Sequence, residues 1–175
     1  AAETGHLVMS TLHTNNAAGV IPRLLDMGVD KYLLPATLAL AIGQRLVRRL
    51  CSECRKKVQP EKAVREMLLY EVGRFSPSAK KRLPPGVGTG AKDISVFQPV
   101  GCKKCGSLGY SGRIAIIEVL SMTPELSNIV LKDPSEAKVS EEAQRQGMIT
   151  MRQDGILKVL DGVTTIEEVL RATAE

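Results

Sequence analysis

The sequence predicts a mixed α/β chain with an inserted four-cysteine element and a small helical bundle at its C-terminal end. Three observations carry that expectation. All four cysteines fall into two Cys-x-x-Cys knuckles, Cys51-Ser52-Glu53-Cys54 and Cys102-Lys103-Lys104-Cys105. Apolar runs of strand length occur at 6–13, 94–100 and 113–120, the last rich in Ile. From Thr123 onward, helix start and stop signals recur: hydroxyl N-caps, acids in first turns and glycines at the ends.

Taken in order, His6-Leu7-Val8-Met9-Ser10-Thr11-Leu12-His13 reads as a buried strand whose neighbours have been cut away. Seven residues of extended chain span about 23 Å, so the two histidines cannot share one metal ion. Thr14, Asn15 and Asn16 offer N-cap chemistry for a helix through Ala17, Ile21, Leu24 and Met27 that stops at Gly28. Strand, polar turn and helix N-terminus in succession predict an anion pocket. Pro22 either kinks this helix or marks its start. A second apolar segment runs from Tyr32 to Ile42 until Gly43 interrupts it, and 44–50 fits a helical stripe slightly better than strict alternation, which leaves both helix and strand open.

Between the knuckles, 61–72 reads as an amphipathic helix with Val64, Met67, Leu68 and Val72 on its apolar side, and 80–93 as a linker. Strands at 94–100 and 113–120 bracket the second knuckle. Thr123-Pro124-Glu125 then opens a helix to about residue 131, and Ser135 opens another that stops at Gly147. Thr150 opens a third that stops at Gly162, and Thr165-Ile166-Glu167-Glu168 reads as a capping box for the last.

The four cysteines suit a tetrahedral zinc site. A two-residue gap lets both sulfurs of a knuckle reach one ion, and four thiolates leave no open position, so the site is structural. Two disulfides, a thioredoxin-like redox pair and unligated thiols are the competing readings. No secretory signal starts at Ala1, which points to a reducing compartment and disfavours disulfides. Gly106, Gly109 and Gly112 suit turns that aim backbone amides at thiolates.

The formal charge of +5 falls to about +3 once four thiolates hold one zinc ion, only mildly basic. Basic residues cluster at Arg45, Arg48, Arg49, Arg55, Lys56 and Lys57 and again at Lys80, Lys81 and Arg82, either as a solvated rim or as a patch for phosphates or acidic partners. With two Phe, three Tyr and no Trp, stacking platforms for single-stranded nucleic acid are poorly supplied. The richest apolar stretch, 32–42, is too short to cross a membrane and carries Pro35. The glycine run at 86–90 resembles a phosphate-binding loop but fails: Ala91 stands where the second glycine belongs, and Asp93 follows Lys92 where a Ser or Thr is needed. Its loose dinucleotide pattern fails too, since Pro84-Pro85 rather than a strand precedes it.

The segment 5–15 closely resembles the histidine box of the secretion ATPases that drive type II secretion and type IV pilus assembly. Arg23 to Gly28, Gln44 to Cys51, Gly109 to Arg113 and Met151 to Gly155 are similar to that family's later signatures, in its order. The resemblance covers the chain apart from about 58–95. It implies an α/β fold: the C-terminal part of a RecA-like ATPase domain (1–50), a zinc-binding element with an inserted helix and flexible linker (51–112), and a C-terminal strand and helical bundle (113–175). It also implies a homo-hexameric motor that hydrolyses ATP with magnesium and acts on an inner-membrane platform protein and associated cytoplasmic domains. The motor is cytoplasmic and peripheral, reaches the membrane only through partners, and is not expected to bind nucleic acid. In the family the four-cysteine element accompanies secretion and pilus-extension motors. His6, His13 and Thr11 match the catalytic segment near the γ-phosphate. The family's P-loop, aspartate box and Walker B carboxylate are expected before Ala1, so residues 1–175 alone are expected to be inactive. The rival reading is a zinc-ribbon module that docks nucleic acid or another protein; if it binds through about six phosphates, affinity falls some thousandfold between 50 and 200 mM salt.

Overall fold

A computed structural model describes residues 2–87 and 94–174, so Gly88 to Asp93 of the glycine run, with Lys92, lie outside the described residues. The chain forms two compact units, Ala1–Gly43 with Glu118–Met148 and Gln44–Ile117 with Ile149–Glu175.

In the first unit, α1 (Val20–Asp26), α2 (Leu34–Thr37), α5 (Pro124–Lys132) and α6 (Glu136–Arg145) enclose a core around Ile21, Leu34, Leu120, Leu126, Val130 and Val139. α5 begins as its sequence directs: the Thr123 hydroxyl accepts from the Leu126 N–H at 3.2 Å, and Pro124 sits in the first turn, where no N–H is needed. Gly28 and Gly147 end α1 and α6 with φ of +85° and +80°. The residue after each donates to the carbonyl five positions back: Val29 to Leu24 at 3.1 Å, Met148 to Ala143 at 3.0 Å.

The predicted strand at 6–13 is not one. Among the described residues the strands pair only as β1 (Leu40–Leu50) with β4 (Tyr110–Ser121) and β2 (Lys56–Val58) with β3 (Val96–Gln98). The segment 6–13 therefore has no ladder partner among them. It runs without regular structure, with Leu7 and Met9 almost fully exposed. At 44–50, where both readings stood open, the strand prevails over the helical stripe. These residues continue strand β1, paired with β4, with Val47 and Leu50 buried and Gln44, Arg45, Leu46, Arg48 and Arg49 exposed.

In the second unit, α3 (Lys62–Gly73), α4 (Pro77–Lys80), α7 (Met151–Leu160) and α8 (Ile166–Ala172) pack with β2 and β3. Their core includes Leu68, Val72, Phe75, Ile94, Ile156 and Val169. β2 and β3 are antiparallel, with Lys57 opposite Phe97. Gly155 lies inside α7 because a Cβ there would stand 2.5 Å from Val169 of α8. The capping box falls at the start of α7, where Thr150 and Gln153 bond reciprocally at 3.2 Å, rather than at 165–168. There the Thr165 hydroxyl lies 3.3 Å from the Tyr110 hydroxyl and Glu168 turns to Arg48, so neither is left for the cap.

Candidate functional site

The first knuckle begins where β1 ends. Cys51 donates its N–H to the Gly109 carbonyl at 3.0 Å, and Arg55 closes the turn by donating to the Cys51 carbonyl at 3.0 Å. The second knuckle is a single 3₁₀ turn, Lys103–Cys105, followed by left-handed residues Gly106 and Ser107. The reversal is tight: Gly101 at φ +100° has the Ser107 carbonyl oxygen 2.6 Å from where a Cβ would stand. These turns bring Cys51, Cys54, Cys102 and Cys105 together with all four sulfurs within 4.8 Å of one another. The separations are 3.9 Å for Cys51 to Cys102, 3.8 Å for Cys54 to Cys105 and 3.7 Å for Cys102 to Cys105. Four sulfurs about 2.3 Å from one tetrahedral ion lie about 3.8 Å apart. The donor set and its spacing fit a metal ion.

The surroundings favour thiolate at one sulfur. The backbone N–H groups of Cys102 and Gly109 donate to Cys105 Sγ at 3.2 and 3.3 Å. Burial pushes the Cys105 thiol up, but these amides and the Cys102 and Cys54 thiols outweigh it and bring its pKa down to about 6. Cys54 is pushed the other way, to about 11, chiefly by burial. Of these two, Cys105 ionises first.

Several basic residues are engaged close by. Arg48 pairs with buried Glu168 and lies over the Tyr110 ring at 4.2 Å. Arg55 lies over the Phe97 ring at 4.9 Å and donates to the Gly162 carbonyl at the C-terminal end of α7. Arg82 reaches Asp154 at 3.4 Å. Arg49, Lys56 and Lys57 are exposed.

His6, Thr11 and His13 belong to the first unit, all three exposed on the extended segment. His6 Nδ1 lies 3.0 Å from the Thr4 hydroxyl. After His13 the chain tightens. The Thr14 hydroxyl donates to the Asn16 carbonyl at 3.0 Å, and the Asn16 side chain accepts from the Gly19 N–H at 2.7 Å, so the N-cap chemistry serves a turn before α1. The predicted anion pocket is filled from within: the Ala17 N–H donates to the Glu118 carboxylate at 2.6 Å. Sequence reasoning passed over Glu118, placed Glu168 in a helix cap and did not anticipate that Asp154 is buried. The one local sign of Glu118 was a carboxylate within the apolar run Ile114–Leu120.

The family model for type II/IV secretion system proteins matches residues 1–171. The chain belongs to this family. Among its relatives, the type IV pilus assembly ATPase PilB of Acinetobacter baylyi is 42 % identical over 175 residues, covering 100 % of this chain and 28 % of that protein. The PilB of Pseudomonas aeruginosa is 41 % identical with the same coverage. The type II secretion system protein E of Xanthomonas campestris is 41 % identical over 176 residues, covering 99 % of this chain and 28 % of that protein. The chain therefore spans 28 % of the length of these relatives. Among the described residues, no helix of this family member is long and apolar enough to cross a membrane.

Proposed function

We propose that this chain is the C-terminal part of the RecA-like domain of an ATP-hydrolysing motor that powers type II protein secretion or type IV pilus assembly. The supporting observation is the end-to-end family match, 1–171, with relatives named ATPases for both processes. In this reading His6, Thr11 and His13 form the histidine box. They polarise or sense the γ-phosphate of an ATP whose phosphates and magnesium ion are held by a P-loop outside residues 1–175. Cys51, Cys54, Cys102 and Cys105 hold a structural zinc ion, which stabilises the turns at both knuckles and supplies no open coordination position. The working motor is a cytoplasmic homo-hexamer at the inner membrane. Its exposed Arg49, Lys56 and Lys57 meet acidic surfaces of the platform protein or its associates.

The test uses the full-length protein. It is expected to hydrolyse ATP only with magnesium and to lose turnover on His13→Ala, while a strain deleted for it loses either surface pili or secreted protein. Turnover unaffected by both His6→Ala and His13→Ala would overturn the assignment of the histidines. A deletion strain unchanged in both phenotypes would overturn the motor.

A further inference from the structure

Glu118 lies on β4, 5 % exposed, with Oε1 2.6 Å from the N–H of Ala17, which is itself 0 % exposed. A buried amide without an acceptor is costly, and water cannot reach this one. Gly43 of β1 makes the meeting possible. A Cβ there would stand 2.9 Å from Glu118 Oε1, 3.0 Å from its Cγ and 3.2 Å from the Ala17 nitrogen, so any side chain would enter the hydrogen bond itself. Asn16, one residue earlier, is held on its other side by Glu136, whose Oε1 accepts from Asn16 Nδ2 at 2.9 Å. Upstream of this turn, 6–13 has no ladder partner among the described residues. Ala17 is thus the first buried residue after His13.

A carboxylate is an expensive way to fill an inward strand position, since packing alone is served better by an apolar side chain. The carboxylate supplies, among its contacts, a fixed acceptor for the Ala17 amide. We infer that Glu118 is a positioning residue for His13, acting through the Ala17 N–H in the space left by Gly43 to fix the turn from which His13 is presented to phosphate. This rests on the reading of His13 as a phosphate-facing group. Misplacement of a reacting group by about 1 Å can cost on the order of a hundredfold in rate without weakening binding.

The experiment measures kcat, KM for magnesium-ATP and thermal midpoint in the full-length protein. Glu118→Ala removes the acceptor, and Gly43→Ala leaves Glu118 in place but wedges the bond, so the second carries the test if the first does not fold. Both are expected to lower kcat by about ten- to a hundredfold with KM changed by less than about twofold. Glu118→Gln, which keeps a carbonyl acceptor, should recover most of that loss. On a His13→Ala background either substitution should lower kcat by less than about threefold more, because residues acting as a unit are non-additive. Losses that multiply in full on that background, or that follow the thermal midpoint instead, would overturn the inference while leaving the histidine assignment intact. A His13→Ala protein with undiminished kcat would overturn this inference together with the phosphate-facing role of His13, and is told apart by that single variant.

Discussion

Glu168 receives Arg48 twice, accepting from its backbone N–H at 2.9 Å and from its guanidinium at 2.7 Å. The Thr164 hydroxyl donates to the Arg48 carbonyl at 2.8 Å, and the Leu50 N–H donates to the Val163 carbonyl at 2.8 Å. The approach to α8 thus satisfies the backbone of β1 as a neighbouring strand would, with side chains in place of a ladder.

That arrangement sets an acid dependence. Burial pushes the Glu168 carboxyl up, but the Arg48 side-chain and backbone hydrogen bonds and the Arg171 charge outweigh it, so its pKa lies below the ordinary carboxylate value. A carboxyl with a depressed folded pKa contributes stability above its unfolded value, about 4.3, and loses it as pH falls through the folded one. Glu168→Gln is expected to cost about 1–3 kcal/mol near neutral pH and much less near pH 3. Denaturant melts at the two pH values check this. An equal loss at both would mean that the charge plays no part. The carboxyl of Glu142, lowered chiefly by its hydrogen bond from Arg145, titrates in the same sense and keeps some acid sensitivity in the variant.

Metal removal should be local. One zinc per chain is expected by elemental analysis, with affinity falling as pH falls because protons compete for the thiolates. Cys54→Ser or Cys105→Ser should speed amide exchange across 44–58 and 94–113 and leave α5 and α6 protected. A metal-replete protein with well under one zinc per chain would defeat the assignment.

Two glycines of the second knuckle separate conformational strain from lost ligand support. Gly106 and Gly109 have φ of +60° and +75°, but a Cβ on Gly106 meets open space, whereas one on Gly109 would stand 2.4 Å from Pro99 Cβ. Gly106→Ala should therefore cost only the left-handed penalty, about 1–2 kcal/mol. Gly109→Ala should cost more, because it must also move the N–H that donates to Cys105 Sγ. Competition with a chromophoric chelator should show zinc affinity lowered at least tenfold in Gly109→Ala and little changed in Gly106→Ala.

What could be read in the sequence was local. Each Cys-x-x-Cys spacing marked its own knuckle, and Thr123, Gly28, Gly147 and Gly162 mark helix ends because caps and left-handed stops act within a few residues. β1 was hidden because its buried row, Ala41 and Val47, is broken by Gly43 and Arg45. The space at Gly43 is explained by Glu118, far along the chain. Glu118, Asp154 and Glu168 were hidden for the same reason: a buried carboxylate depends on distant partners, such as the Ile117 N–H that donates to Asp154 at 2.9 Å. The strand expected at 6–13 needed a neighbour that its own residues cannot supply.

The same dependence governs catalysis. Phosphoryl transfer needs the β- and γ-phosphates cradled, a magnesium ion held between them and a water positioned for attack. The sequence has no Gly-Lys-Ser/Thr, and its glycine run departs from the pattern at Ala91 and Asp93. In the proposed reading His6, Thr11 and His13 polarise a phosphate that other groups hold; two imidazoles and one hydroxyl on an exposed segment cannot by themselves hold a polyphosphate against water. Residues 1–175 alone are therefore expected to give no magnesium-dependent ATP hydrolysis above background, and the full-length protein to give it. In that longer protein His6→Ala or His13→Ala should lower kcat by about ten- to a thousandfold with little change in ATP affinity, the pattern of contacts made chiefly in the transition state. Coupled-enzyme turnover with equilibrium nucleotide binding separates the two quantities. Turnover that co-purifies with residues 1–175 and vanishes on Lys92→Ala would return the phosphate-binding role to the glycine run and remove it from the histidine segment.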